Sequence, residues 1–387
     1  MALPLRAFML ISKGLQCLTP KGCLNGQPLV INKKQQLLKI HTKKNNKPMK
    51  TETVFPPGQG AMSERDIDPL LDLEAEINRL KREKNAVILA HYYQEGEIQD
   101  IADFVGDSLD LSRKAAQTDA DMIVFCGVRF MAEVANILSP DKKVVLPDAA
   151  AGCSLEDSCQ PEAYAAFRAQ HPDHIAVNYI NSSAEVKAMS DYIVTSSNAE
   201  HIINSLPKDK PIIFGPDRHL GAYLNRKTGR DMVLWPGTCI VHEQFSAREI
   251  TRLKDSHPGA LVAAHPECPE GILEVSDHIG STRSILDFVT TNKAKEFIVA
   301  TEQNIIHQMQ KSAPEKTFYP APGADGSCNC AQCPFMELNT MEKLYLCMVN
   351  EAPFVKLPED LRVKALRPLE RMLELSPPAT KSAAAAE

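Results

Sequence analysis

One order of events recurs three times along this chain, and it limits the fold more than any other feature. A short apolar run ends at a polar residue, a helical stripe follows, and a second and third run come after. In the first round the runs are Ala86 to Ala90, ending at His91-Tyr92-Tyr93, Met122 to Phe125, ending at Cys126-Gly127, and Lys143 to Leu146, ending at Pro147-Asp148. The second round has Ile175 to Ile180, Tyr192 to Thr195 and Pro211 to Phe214, ending at Asn181, Ser196 and Asp217. The third has Ala260 to Ala264, Asp277 to Ile279 and Glu296 to Ala300, ending at His265, Gly280 and Glu302. First runs start about 87 residues apart, and self-similarity at a fixed period marks a repeated unit. Each middle run is preceded by, or opens with, an aspartate: Asp121, Asp191 or Asp277.

Between the runs the apolar spacing is helical. Leu70, Leu73, Ile77 and Leu80 predict a helix over 68–84. Ile98, Ile101, Ala102 and Val105 predict another, and Phe130, Val134, Ile137 and Leu138 a third. Such alternation predicts an α/β fold: three repeated α/β/α sandwich units with parallel sheets around a pseudo-threefold axis. Their boundaries are expected at 62–150, 151–235 and 236–350, with C-terminal helices over 351–376. Ligands bind such sheets at the carboxyl ends of the strands, so three units in a ring would aim their strand ends at one centre.

The ends of the chain read differently. Residues 1–51 hold ten Lys or Arg and no Asp or Glu. Nine of the ten are lysine, whereas organelle-targeting peptides are rich in arginine. Residues 1–61 therefore read as a basic disordered extension, or as an early start with Met62 the true beginning. Residues 377–387 read as a frayed tail. A net charge of −6 gives no reason to expect nucleic acid or an anionic membrane as partner. No apolar run is long enough to span a bilayer. Eleven cysteines, an odd and sparse set, fit reduced thiols in a cytoplasm-like compartment better than a disulfide scaffold.

Three of those cysteines crowd into Cys328-Asn-Cys330-Ala-Gln-Cys333-Pro334. Alone, this stretch admits an iron site, a structural zinc clip, a redox disulfide or plain loop cysteines. Cys153 and Cys239 fall at comparable places, each just past the third run of its round, as Cys333 does. One thiol per unit would meet near the centre. Three thiolates on a four-iron cubane leave one iron without a protein ligand, free to act on a substrate as a Lewis acid. Cys126 and Cys347, in apolar contexts, read as inert core thiols.

The expected strand ends carry polar groups. His91, Tyr93, Ser108, Tyr179, Asn181, Ser196, His265, Glu267 and Thr282 all lie at or just after them. Ser182 and Glu185 have capping-box spacing, and Gly280-Ser281-Thr282 opens a helix. Free helix N–H groups and hydroxyls hold carboxylate or phosphate, so a small polyanionic substrate is expected, although any one Ser or Thr here also serves as a plain cap. His-Pro-Glu at 265–267 puts an imidazole and a carboxylate on one turn, the strongest acid/base pair in the chain. His242 and Glu243 read either as partners of the cysteine site or as a simple exposed pair, and His219 is undecided.

Together these motifs resemble the quinolinate synthases, enzymes of NAD biosynthesis. The resemblance rests on Ala-His-Tyr-Tyr at 90–93, Gly-Val-Arg-Phe-Met at 127–131, Cys-Ser-Leu at 153–155 and Tyr-Ile-Asn-Ser-Ser at 179–183. It continues through Val-Thr-Ser-Ser at 194–197, Gly-Pro-Asp-Arg-His-Leu-Gly at 215–221, Gly-Thr-Cys-Ile-Val-His-Glu at 237–243, His-Pro-Glu at 265–267 and Gly-Ser-Thr at 280–282. It covers about 70–372, and the first 61 residues match nothing in the family. The resemblance implies a cytoplasmic enzyme that condenses iminoaspartate with dihydroxyacetone phosphate, and a functional link to an L-aspartate-oxidising enzyme. It implies a 4Fe-4S cluster on Cys153, Cys239 and Cys333. It places iminoaspartate on His91, Ser108, Tyr179, Asn181, Ser196, His265, Glu267 and Thr282. Glu267 with His265 is then expected to move protons, with Tyr93 as a second donor. Many members carry Cys-x-x-Cys-x-x-Cys at the last ligand; here one residue is missing between Cys328 and Cys330, which puts a disulfide between them in doubt. Two rivals stand beside this reading: an open-cluster hydro-lyase acting on a hydroxy acid, and a metal or redox sensor built on 328–334 alone.

Overall fold

The computed structural model describes residues 53–324 and 331–376. Expectations about Cys328, Cys330, the residues before 53 and the tail after 376 lie outside the described residues.

Three sheets share one strand order. In the first, Ala86–His91 lies between the edge strand Phe104–Gly106 and Met122–Cys126, with Lys143–Val145 beyond. In the second, Ile175–Tyr179 lies between Tyr192–Val194 and Ile212–Gly215, with Val233–Leu234 beyond. In the third, Leu261–Ala264 lies between His278–Ile279 and Glu296–Ala300, with Thr317–Pro320 beyond. All these neighbours are parallel. Each sheet thus runs second, first, third, fourth by chain position.

Parallel strands need crossover helices, and helices on both faces demand strands that are apolar on both sides. Alternate residues accordingly enter different cores. Leu89, Ile123 and Phe125 pack into one, while Ile88, Ala90 and Val124 pack into another. In the third sheet Val262 and Ile298 face one core, and Ala263, Phe297 and Val299 the other.

The edge strand is where the sequence reading goes wrong. Ile98, Ile101, Ala102 and Val105 do not share a helix: Gly96–Ile101 is helical, and Phe104–Gly106 is the edge strand. The cause is Asp103, whose carboxylate accepts the Ile88 N–H at 2.8 Å and whose own N–H donates to the Ile88 carbonyl at 3.0 Å. Asp191 makes the same pair of bonds to Ala176, and Asp277 to Val262, with the carboxylate again at 2.8 Å. Each carboxylate also meets a cation of the helix that precedes the central strand: Lys81 at 2.7 Å, Arg168 at 3.1 Å and Lys254 at 2.7 Å. The repeated aspartate of the first sheet is therefore Asp103 and not Asp121. With that register corrected, 122–126 and 143–145 are third and fourth strands, and each cysteine follows a fourth strand instead of a third.

Other boundaries shift for local reasons. The first helix is Leu73–Glu83, started by Asp72, which accepts the Ala75 N–H; Leu70 is 93% exposed. Ser183, not Ser182, caps the helix Ala184–Ala188, and the Ser182 hydroxyl instead donates to the Tyr179 carbonyl. Val54–Phe55 and Phe354–Val355 extend the first sheet antiparallel, and Thr53 donates to the buried Glu133 carboxylate at 2.9 Å. The folded part therefore begins before 62, and 351–376 holds that short strand and one helix, Glu359–Leu375. Among the described residues, no helix is long and apolar enough to cross a membrane.

Candidate active site

The sheet register fixes where the polar residues land. Counting from the residues whose N–H the three aspartates take (Ile88, Ala176, Val262), the third residues on are His91, Tyr179 and His265. The fifth are Tyr93, Asn181 and Glu267, and the twentieth are Ser108, Ser196 and Thr282. The nine residues thus stand at three matching spacings from these three strand positions. All nine, together with Cys153, Cys239 and Cys333, line one cavity of about 70 Å³. A single water takes on the order of 10–15 Å³ on this measure, so the cavity suits a small organic molecule.

Each cysteine loop is held by a backbone hydrogen bond of the same kind. The N–H of Arg129 donates to the Ala151 carbonyl at 2.7 Å, that of Arg218 to Gly237 at 2.9 Å and that of Gln303 to Ala331 at 2.9 Å. Each acceptor lies two residues before its cysteine, and in the last loop that cysteine is Cys333. Gly237 is required by crowding, since a side chain there would begin 2.5 Å from the Pro216 carbonyl. Past each cysteine the chain turns so that nearby backbone N–H groups favour the thiolate: Glu156 and Leu155 at Cys153, His242 at Cys239, Met336 and Phe335 at Cys333. Burial nevertheless pushes all three thiols up, Cys333 to about 11. Neutral thiols have little use for several N–H donors, whereas thiolates bound to a cation do. The donor set therefore fits thiolate-bound metal.

On the substrate side, burial drives His91 and His265 down to about 3, so both are neutral imidazoles at pH 7. Their Nδ1 atoms accept the N–H two residues on, from Tyr93 at 3.2 Å and Glu267 at 3.4 Å. This places the proton on Nε2; His265 Nε2 lies 3.1 Å from the Ser196 hydroxyl, and His91 lines the cavity. Burial pushes Glu267 up, but the His265 and His242 rings beside it and the hydrogen bond from Tyr179 outweigh it and bring the carboxyl down to about 2. Tyr179 donates to Glu267 Oε1 at 2.6 Å, and His242 Nδ1 stands 3.1 Å from Oε2 without hydrogen-bond alignment. Tyr93 stays a phenol, raised by burial and by Glu267, with its oxygen 2.6 Å from the Thr301 hydroxyl and 3.2 Å from that of Thr282. Asn181 Oδ1 is buried and has no partner among the described residues.

His265 and Glu267 are neighbours but not hydrogen-bonded side chain to side chain, since their closest approach is 3.7 Å. The partners of Glu267 are Tyr179 and His242, which the spacing of His-Pro-Glu did not suggest. His242 is buried in the site and also reaches the Thr301 hydroxyl at 3.0 Å. Glu243 points away, pairing with His219 at 2.6 Å and Arg218 at 3.1 Å. Glu302, buried at the cavity wall and pushed well up by burial, is also missed by motif reading. Its signal is positional, because it stands in the third sheet where Asp217 stands in the second. Cys126 and Cys347 are buried away from the cavity.

Residues 75–374 match the family described as Quinolinate synthetase A protein. A quinolinate synthase of Thermosynechococcus vestitus is 61% identical over 306 residues, 79% of this chain and 96% of the relative. One of Microcystis aeruginosa is 62% identical over 305 residues, 79% and 95% of the two chains. One of Chloroherpeton thalassium is 58% identical over 306 residues, again 79% and 95%.

Proposed function

The chain belongs to the quinolinate synthase family, and from that premise we propose how its cavity makes quinolinate for NAD biosynthesis. The substrates in this reading are iminoaspartate and dihydroxyacetone phosphate. Iminoaspartate comes from an enzyme that oxidises L-aspartate, and the work is done in the cytoplasm. The three sheets are read as one unit repeated around an approximate threefold axis, which the shared strand order and the three equivalent aspartates support.

Cys153, Cys239 and Cys333 would hold a 4Fe-4S cluster. When bound, it supplies a Lewis acid at the iron that lacks a protein ligand. The chain's own groups do the rest. Ser108, Ser196 and Thr282, each in the first turn after an edge strand, offer hydroxyls to the carboxylates and the phosphate. The Asn181 amide and the His91 Nε2–H complete the hold on iminoaspartate. Glu267, ionised and steadied by Tyr179, takes the proton that enolisation and imine formation release. Tyr93 donates through its phenol, relayed by Thr301 and Thr282, when hydroxide must leave as water. His265 stays neutral and orients Ser196.

The observation that carries this reading is the convergence of all twelve residues on one cavity. Glu267→Gln is expected to keep iron content and substrate affinity while turnover falls about 10²–10⁴-fold. Near-normal turnover would remove Glu267 from the proton path. A second reading has one specific support: Cys239, His242 and Glu267 offer donor atoms within 4.8 Å of one another, enough for a single metal ion. Iron and sulfide analysis of anaerobically purified protein separates them, since the cluster requires about four of each and the lone ion requires no sulfide.

A further inference from the structure

Two of the cysteine loops are tied down by a charge pair that has no counterpart among the described residues of the third. Arg129 and Arg218, whose N–H groups anchor the first two loops, also place guanidinium groups on carboxylates just past the cysteine. Arg129 meets Glu156 at 2.9 Å and Arg218 meets Glu243 at 3.1 Å. The corresponding residue of the third loop is Gln303, which has no charge to offer. The preceding residue supplies the tie instead. Glu302, fully buried, accepts the N–H of Asn304 at 2.8 Å and the Asn304 side-chain amide at 3.2 Å, and the backbone N–H of Cys333 faces it and draws its carboxyl down against burial.

Asn304 extends the connection across to the first sheet. Its amide also donates to the Tyr93 carbonyl at 3.3 Å, and its own carbonyl accepts from Gln99, which holds the Tyr92 carbonyl as well. One buried carboxyl is thus linked on one side to the sulfur loop and on the other to the turn that carries the Tyr93 phenol. A buried acceptor with several donors is costly to lose, because each donor is left unsatisfied away from water.

We propose that Glu302 is a positioning residue that fixes the Cys333 loop and the Tyr93 turn relative to one another. The proposal rests on the reading of Cys333 as a cluster ligand. Outer partners of metal ligands typically matter by about 10–100-fold. In anaerobic holoenzyme challenged with a chelator, Glu302→Ala is expected to lose its visible absorbance about tenfold faster than the native protein, with kcat reduced by a similar factor. Glu302→Gln keeps an acceptor oxygen for the Cys333 N–H and is expected to restore the decay rate to within about twofold.

A wild-type decay rate for Glu302→Ala overturns the proposal, and so does Glu302→Gln decaying as fast as Glu302→Ala. If the alanine variant does not yield soluble protein, Glu302→Asp, whose carboxylate is too short to span the same donors, decides in the same way. Cys333→Ala run alongside separates the two levels. If it retains the absorbance, the ligand reading fails and takes the proposal with it; if it loses the absorbance while Glu302→Ala behaves as wild type, only the proposal falls.

Discussion

At the scale of single residues, His-Pro-Glu shows why neighbours in sequence need not share a proton. The two-residue spacing turns His265 Nδ1 onto the Glu267 N–H, so its free proton points to Ser196, and the carboxylate is left to Tyr179. The same spacing at His91-Tyr92-Tyr93 gives the same tautomer. Both imidazoles have their folded pKa depressed to about 3 by burial. The sign follows: the folded protein refuses protons that the unfolded chain takes up below pH ~6.5. Nitrogen chemical shifts of His91 and His265 are therefore expected to stay those of neutral imidazole from pH 8 down to about 5. A titration of either near pH 6.5 would contradict the burial argument.

At the scale of elements, the aspartate that opens each edge strand is the hinge of the local fold. It takes a central-strand N–H that would otherwise stay unpaired, and it meets a cation on the helix that leads into that central strand. Alanine at Asp103, Asp191 or Asp277 is expected to cost about 1–3 kcal/mol, and Asn less, since it keeps an acceptor. The measurement is amide exchange at Ile88, Ala176 and Val262, where unchanged protection would show that the carboxylate is incidental. The same element marks how far the sequence could be read. Long apolar runs such as Ala86–His91 and the ends that carry His91, Tyr179 and His265 were legible, because burial on both faces leaves an unmistakable pattern. Phe104–Gly106 was not legible, since three residues hold no periodicity and Ala102 and Val105 continue the helical spacing of Ile98 and Ile101. That omission moved the repeat register by one strand and put Asp121 in the place of Asp103. Glu302 was hidden for another reason: only the register between sheets, which is tertiary, gives it a counterpart.

At the scale of the molecule, every sheet contributes one cysteine and three polar residues, so no part of the chain owns the site. Cys153→Ala is expected to abolish the visible chromophore and most bound iron although 328–334 is untouched, as iron analysis would reveal; retained iron would point to a local site. The closing of the first sheet by both ends of the described chain has its own consequence. Phe55 stacks on Phe354 at 5.1 Å, and Thr53 covers the Glu133 carboxylate. Without Val54–Phe55, Phe354–Val355 would become the border of the first sheet, its peptide groups open to water, and the buried Glu133 carboxyl would lose the Thr53 hydroxyl that donates to it.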